Sequence, residues 1–365
     1  MRKRIVAMAA VLCLTLASCG GGSATPAPTP TPTPVPTPSA TATPEPTPTP
    51  YAGPENPLTG LPIDEKWVNA RPVAVMLNNL VAAQPQLGQS QADIIYEVLA
   101  EGGITRMLGV YQTVEGVGKI GSVRSARTYY LELALGHDAV YLHAGGSPDA
   151  YDKIKAWNVT ALDCVNGPYE GRSPGSNLFW RDADRIKNNG SVHSVVTTGD
   201  TILERFPTYS FRQVHEEGYR YPQTFVEDGS PANGESASVI TVPFSNYKTG
   251  VFTYDEQTGK YLVSQYQKPY VDGNDGSQVA VTNILILKTD CHVIPGDDAG
   301  RMAVDLTSGG EGWYAYGGKI APIIWSKADR NSPFVYTDAA GETLALQRGN
   351  SYVSIVPLRC EISVE

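Results

Sequence analysis

Two arginines three positions apart, Arg124 and Arg127, stand among small residues in Gly121-Ser-Val-Arg-Ser-Ala-Arg127. A guanidinium presents a planar fork of donors that suits phosphate or carboxylate, and two of them on one face of an entering helix would form an anion site. Gly145-Gly146 precedes Ser147-Pro148-Asp149. That triplet reads as a helix start, with Ser as N-cap, Pro in the first turn and Asp on the positive end of the dipole. The diglycine bend would leave backbone N–H groups open to the same negative charge. Asn78 follows one apolar run, Tyr96-Glu97 sits inside another, and Glu101-Gly-Gly-Ile-Thr-Arg106 sets an acid and a base around a glycine turn. His143 ends Asp138-Ala-Val-Tyr-Leu-His143. The candidate ligand-binding set is therefore Asn78, Glu97, Glu101, Arg106, Arg124, Arg127, His143, Gly145 and Gly146, an Arg/Gly-rich cleft for an anion.

Each of these residues also has a plainer use. Glu101 and Arg106 make a structural ion pair equally well, Arg124 and Arg127 a pair of solvated charges, and His143 a hydrogen-bonded core residue. The glycines and Asn78 are turn formers. What favours a cleft is their gathering at strand ends and glycine bends, where side chains and unpaired N–H groups converge in α/β sheets. Arg172-Ser-Pro and Phe179-Trp-Arg-Asp182 supply further cleft-lining groups. Catalytic residues are not assignable. The chain has no P-loop, HExxH or G-x-S-x-G motif, and Ser125, His143 and Glu101 form a triad only by choice. No CxxC or His/Cys cluster offers a metal site, and His193, His215 and His292 lack partner spacing.

The elements that must position this set alternate from 57 to 230. Strand-like runs cover 72–77, 93–99, 105–111 and 138–143; helical character covers 125–135 and 147–157. A strand over 192–197 passes through Gly199-Asp200 into a short helix ending near Phe206. The order predicts an α/β N-terminal domain, a mixed or parallel sheet with covering helices. From 235 to 365 the rhythm changes to short strands separated by turn chemistry: 238–244, 251–254, 261–266, 279–287, 301–306, 312–316, 319–325, 333–337, 342–346 and 351–357. This part is expected to be a mainly antiparallel β domain.

The address precedes both. Arg2-Lys-Arg4 is a basic n-region, and Ile5–Leu16 is an apolar run too short to span a bilayer permanently. It ends in Leu16-Ala-Ser-Cys19 followed by Gly20, a pattern similar to the bacterial lipobox, in which the Cys thiol is diacylated (palmitate-type chains) and becomes the first residue after cleavage. Residues 1–18 are thus read as a signal peptide and Cys19 as the lipidation site. Acyl burial contributes ~0.8 kcal/mol per methylene, so a multiply acylated Cys is a stable anchor. Residues 19–56 then form a Pro/Thr-rich linker with too little apolar content to bury a core; repeated Pro favours polyproline II. The protein is expected at the outer face of the bacterial cytoplasmic membrane, held there by its N-terminal lipid. The sequence carries 28 Lys+Arg against 37 Asp+Glu, net −9, and loss of Arg2, Lys3 and Arg4 leaves 25 against 37, net −12. That balance excludes a phosphate-neutralising nucleic-acid binder. Beyond Cys13 and Cys19, three cysteines remain; Cys291 and Cys360 are the expected disulfide, with Cys164 left over.

Several stretches resemble a known family. Asn56-Pro-Leu-Thr-Gly-Leu-Pro62, Arg71-Pro-Val-Ala-Val-Met-Leu-Asn-Asn79, Ala92 through Arg106, Gly121 through Arg127, Asp138 through Pro148, and Gly310 through Pro357 are similar to the YerB-type bacterial lipoproteins. The resemblance implies a lipoprotein of Gram-positive-type envelopes with an N-terminal α/β domain and a separate C-terminal domain. The family is a domain of unknown function, so it supplies no chemistry. A fainter similarity is to the LytR-CpsA-Psr phosphotransferases, which would imply transfer of a polyprenyl-pyrophosphate-linked glycopolymer with Mg²⁺. Here Val123-Arg124-Ser125 stands where those enzymes carry Pro-Arg-Asp, so the metal-linked Asp is missing. Three readings follow: a tethered protein binding an anionic envelope ligand such as a cell-wall glycopolymer, with no cofactor; a phosphotransferase; or a scaffold for another envelope protein.

Overall fold

A strand buried on both faces must be apolar along nearly its whole length, and Val73–Asn78 (β1) is such a run, with all six residues buried. The computed structural model describes residues 53–231 and 233–365; the leader, Cys19 and the Thr-Pro tract lie outside them. Chain engagement begins at once: Asn56 is buried and its side chain donates to Asp93 Oδ1 at 2.9 Å. After β1 come Ile94–Leu99 (β2), Thr105–Tyr111 (β3), Lys119–Gly121 (β4), Val140–His143 (β5), Ala161–Asp163 (β6), Trp180–Arg181 (β7) and Val195–Thr198 (β8). Helices Glu65–Val68 (α1), Thr128–Gly136 (α2), Pro148–Ala156 (α3), Ala183–Asn189 (α4) and Gly199–Arg205 (α5) alternate with them. No α-helix follows α5 among the described residues.

The remaining strands are Thr224–Val226 (β9), Glu235–Ser236 (β10), Val239–Pro243 (β11), Thr249–Asp255 (β12), Lys260–Gln265 (β13), Lys268–Pro269 (β14), Ala280–Val281 (β15) and Asn283–Thr289 (β16). Cys291–Val293 (β17), Met302–Val304 (β18), Gly310–Tyr316 (β19), Lys319–Ser326 (β20), Val335–Thr337 (β21), Ala345–Gln347 (β22), Ser351–Pro357 (β23) and Ser363–Val364 (β24) complete the set. The main sheet runs β10-β20-β19-β16-β23-β2-β3-β1-β5-β6, with β21 on β20. It is mixed in the N-terminal part: β1, β5 and β6 are parallel, and β3 is antiparallel to both β1 and β2. The two parts of the chain meet strand to strand, β2 lying parallel to β23 from Ile94↔Ser351 to Val98↔Ile355. A second sheet, β14-β13-β12-β11-β24 with β15 on β13, is antiparallel throughout.

Side chains alternate across the main sheet with period two. Val75, Leu77, Ile95, Leu99, Met107 and Tyr111 face the second sheet, meeting Phe244, Phe252, Val263 and Tyr270. Ala74, Met76, Tyr96, Val98, Leu108 and Tyr141 face the other way, towards Tyr130, Leu131 and Leu133 of α2. That helix carries buried residues nearly all round, which is why its sequence shows no clean stripe.

Several elements differ from the sequence reading. The helix expected from Ser125 starts at Thr128, because the preceding residues are held extended: Ala126 N–H donates to Gly145 C=O at 2.9 Å and Ser147 N–H to Ala126 C=O at 3.2 Å. The strand placed at 192–197 is β8, preceded by a 3₁₀ turn at Ser191–His193. The run 279–287 breaks between β15 and β16 at Thr282, which bonds to the Asn350 side chain. The expected Cys291–Cys360 disulfide is absent: both thiols are free and buried, as is Cys164. Cys360 belongs to the core cluster that faces the second sheet, and Cys291, at the start of β17, lies near Tyr129.

Candidate functional site

β5 and β6 end level, His143 opposite Asp163, and β1 runs two residues further, to Asn78, so each of the three ends in a polar residue. Arg106 lies opposite Asn78 in the β1–β3 register. By strand alternation all four share the α2 face of the sheet.

Glu101, in the 3₁₀ turn after β2, is the hub of the charged part. Its Oε1 accepts from Arg106 Nη2 at 2.5 Å and from Arg127 Nη2, and its Oε2 accepts from Arg127 Nε at 3.1 Å. Burial opposes the Glu101 charge, but the two guanidiniums outweigh it and hold the carboxyl below its ordinary value. Arg106 spends another donor on Ser125 C=O at 2.8 Å, and Arg127 on Ala126 C=O at 2.7 Å. The ion pair expected between Glu101 and Arg106 is thus a three-membered cluster that includes Arg127.

Arg124 stands apart. Because residues 124–127 are extended and not helical, Arg124 and Arg127 do not share a helix face as the spacing suggested. Arg124 Nη1 makes one long contact, 3.4 Å, to Val192 C=O, and its buried Nε has no acceptor among the described residues. Burial first, then the neighbouring Arg106 and Arg127, bring its pKa down to about 10. The guanidinium lines a cleft of about 570 Å³ together with Ser125, Gly145, Gly146, Tyr151, Asn166 and Arg181. Arg181 is already engaged, by Glu170 Oε1 at 2.9 Å and Ser191 C=O at 2.9 Å.

The diglycine bend forms the opposite wall. Gly145 has φ +75°, the left-handed region that glycine enters without a Cβ clash. Asp163 fixes the bend: its Oδ1 accepts from Gly145 N–H and from Val165 N–H, both at 2.8 Å, and its Oδ2 from Tyr151 O–H at 2.7 Å. Gly145 N–H is therefore spent inside the protein, and the Gly146 N–H has no acceptor among the described residues. The expected N-cap forms at α3, Ser147 accepting from Ala150 N–H at 3.4 Å.

Three expected site residues lie elsewhere. His143 is buried and its Nδ1 pairs with Gly145 C=O at 2.8 Å; burial pushes its pKa below the ordinary imidazole value, so it braces the bend as a neutral ring. Asn78 is buried and pairs with His193 Nδ1 at 2.8 Å. Burial and the Arg124 charge depress His193 in turn, which places Asn78 one residue removed from the cleft. Glu97 is on the other face. It shares parity with Ile95 and Leu99, and its carboxylate is fully buried against Lys248 Nζ at 2.7 Å, Asn79 Nδ2 at 2.8 Å, Thr105 O–H at 2.5 Å and Tyr352 O–H at 2.5 Å. It joins the two sheets and reaches no cleft.

Sequence reasoning missed Asp163, Tyr151, Asn166 and His193. Asp163 ends a three-residue strand with no alternation to read, and His193 meets its partner 115 positions away. The only available signal was the aspartate after an apolar pair, which is common in turns.

Comparison with known proteins bears on most of the chain. Residues 58–212 match the model for "Protein of unknown function (DUF3048) N-terminal domain" and residues 240–353 that for its C-terminal domain. A protein of Bacillus subtilis (strain 168) named "Putative lipoprotein YerB" is 34% identical over 304 residues, covering 82% of this chain and 86% of that protein. The crystal structure of the YerB protein from Bacillus subtilis superimposes with a TM-score of 0.72 at 31% identity, covering 85% of this chain and 99% of the other. The relative's name agrees with the expectation that this chain is a lipoprotein.

Proposed function

As the chain belongs to the DUF3048 family together with YerB, we propose that it is a lipid-anchored protein of the outer face of the cytoplasmic membrane that binds an anionic cell-envelope ligand in the Arg124 cleft. The supporting observation is a charge imbalance. Arg106, Arg124 and Arg127 gather around one carboxylate, Glu101, whose two oxygens are taken by Arg106 and Arg127. Arg124 is bonded to neither oxygen: its Nη1 has one 3.4 Å contact, its buried Nε has no acceptor among the described residues, and the residue lines an open hollow. An arriving anion gains charge-assisted hydrogen bonds there and relieves the repulsion among three guanidiniums. The Gly146 N–H and the Tyr151 and Asn166 side chains line the same hollow. The lipid anchor at Cys19 would keep this cleft within reach of envelope polymers and lipid headgroups.

Titration of the full chain with inorganic pyrophosphate, followed by calorimetry, tests the reading. A hydrogen bond to a charged group contributes ~1.5–3 kcal/mol, so Arg124→Ala is expected to weaken binding by roughly tenfold to a hundredfold. Equal affinity in native protein and variant would remove the cleft from consideration. Metabolic labelling with palmitate tests the address: Cys19→Ser is expected to abolish it.

A further inference from the structure

A hollow of about 990 Å³ lies along the outer edge of β6 and is separate from the arginine cleft. We infer that this groove binds a neutral N-acetylated amino-sugar chain, the acetamido group pairing with the open edge at Ala161 and the sugar ring lying on Tyr169, Tyr209 and Phe211. The inference goes beyond the anion reading and stands on different residues.

The edge is the first argument. β6 is the last strand of its sheet and pairs only with β5. The parallel ladder takes Thr160 C=O, which accepts from Tyr141 N–H at 2.9 Å, and Cys164 N–H, which donates to His143 C=O at 2.9 Å. In that register the N–H and C=O of Ala161 point away from the sheet, and neither has a partner among the described residues. One donor and one acceptor on a single residue match the N–H and C=O of an acetamido group, which is itself a small peptide unit. Ala161 is only partly buried and lines the groove.

The aromatic wall is the second. Tyr169 and Tyr209 meet edge to face with centroids 5.3 Å apart, and Tyr209 and Phe211 lie 6.1 Å apart at 39°. All three rings are partly exposed, while the Tyr209 hydroxyl is itself buried and has no partner among the described residues. Rings with an apolar face and a polar tip suit a pyranose, which also has an apolar C–H face and hydroxyl edges. Trp157 is excluded as a platform, because Lys153 and Arg330 already sit over its ring at 5.4 and 5.3 Å.

Charge is the third. The groove's cations are committed: Arg212 forks onto Asp138 at 2.7 Å through both nitrogens, and Arg71 Nε lies 3.4 Å from the same carboxylate. Glu216 and Glu217 are exposed at the rim. An anion would meet these acids with no spare cation to receive it, so a neutral ligand fits. The volume is that of a small-molecule site.

The probe is the β-1,4 tetramer of N-acetylglucosamine, with cellotetraose, which carries hydroxyls in place of acetamido groups, as comparator. Amide spectra of the full ¹⁵N-labelled chain in detergent are expected to show the Ala161 N–H shifting with the acetylated tetramer, at least tenfold tighter than with cellotetraose. Tyr209→Ala is expected to weaken that binding at least tenfold, and its melting temperature shows whether the fold survives; the native spectra stand without it. No shift at Ala161 up to about 10 mM sugar, or equal affinity for the two tetramers, overturns the inference. So does an extended peptide that shifts Ala161 where the sugar does not, which would give the edge to a partner strand.

Discussion

Replacing Lys248 by Met tests what joins the two sheets. Lys248 and Glu97 are both completely buried, with Nζ 2.7 Å from Oε1, and the ammonium also lies 5.1 Å over the Phe244 ring. Removing one member of a buried pair strands the other charge, at a cost of about 3–5 kcal/mol. Glu97 retains three donors in the variant, from Asn79, Thr105 and Tyr352. These keep the carboxylate partly solvated, so the expected loss for Lys248→Met is at the low end, about 3 kcal/mol. The double change Glu97→Gln with Lys248→Met removes both charges and keeps hydrogen-bonding atoms beside Asn79 and Tyr352. It is expected to return to within about 1.5 kcal/mol of the native protein, since isosteric replacement of a buried pair is often neutral. Urea unfolding followed by tryptophan fluorescence measures both, with the slope compared to confirm one transition. A single-variant loss below about 1 kcal/mol, or a double variant as unstable as the sum of its parts, would show that the pair does not hold the interface.

Two further outcomes follow from burial. Asp93 accepts from Asn56 at 2.9 Å and from Gln112 N–H at 2.6 Å, yet burial raises its pKa from 3.8 to about 6. The folded chain then holds this proton more tightly than the unfolded one, so the stabilisation present below pH 4 is lost as pH rises through 6. The loss is at most about 3 kcal/mol. Urea melts of Asp93→Asn should therefore lack this fall relative to the native chain; parallel profiles would refute it. Burial also pushes the thiols of Cys164 and Cys291 up to about 12, and Cys360 upwards as well. Aromatic disulfide reagent should leave all three unmodified in the folded protein and titrate all three in denaturant; a native count of one disulfide would contradict the free thiols.

The strand positions of the N-terminal part were legible because its strands are unbroken apolar runs, and the antiparallel C-terminal part because its turns are marked by residues such as Asp255-Glu-Gln-Thr-Gly259. The start of α3 was legible in Ser147-Pro148, a cap with a local mechanism. Pairing was not. That Glu97 faces away from Arg106 depends on register, Glu97 lying opposite Met107 and Val98 opposite Arg106. Tyr352, which bonds Glu97, is 255 positions distant, and no period in the sequence connects them. The start of α2 was misplaced for a related reason: Ala126 is drawn into a bridge with Gly146, a tertiary contact that overrides local helix preference.

The same register sorts the charges into two kinds. On the face towards the second sheet, one acid meets one base, Glu97 and Lys248, and the pair is closed by Asn79, Thr105 and Tyr352. On the α2 face, three arginines meet one acid. Glu101 has two oxygens, and Arg106 and Arg127 occupy both. Of the other carboxylates nearby, Asp163 is spent on Gly145, Val165 and Tyr151, and Asp149, which feels the Arg127 charge, accepts from Thr128 O–H at 2.6 Å. Arg124 is thus bonded to no carboxylate among the described residues, and its position at an open hollow lets it keep its charge where full burial would not. A protein that wanted only structure here would have one arginine fewer or one acid more, and the surplus is the reason to look for an anion from outside.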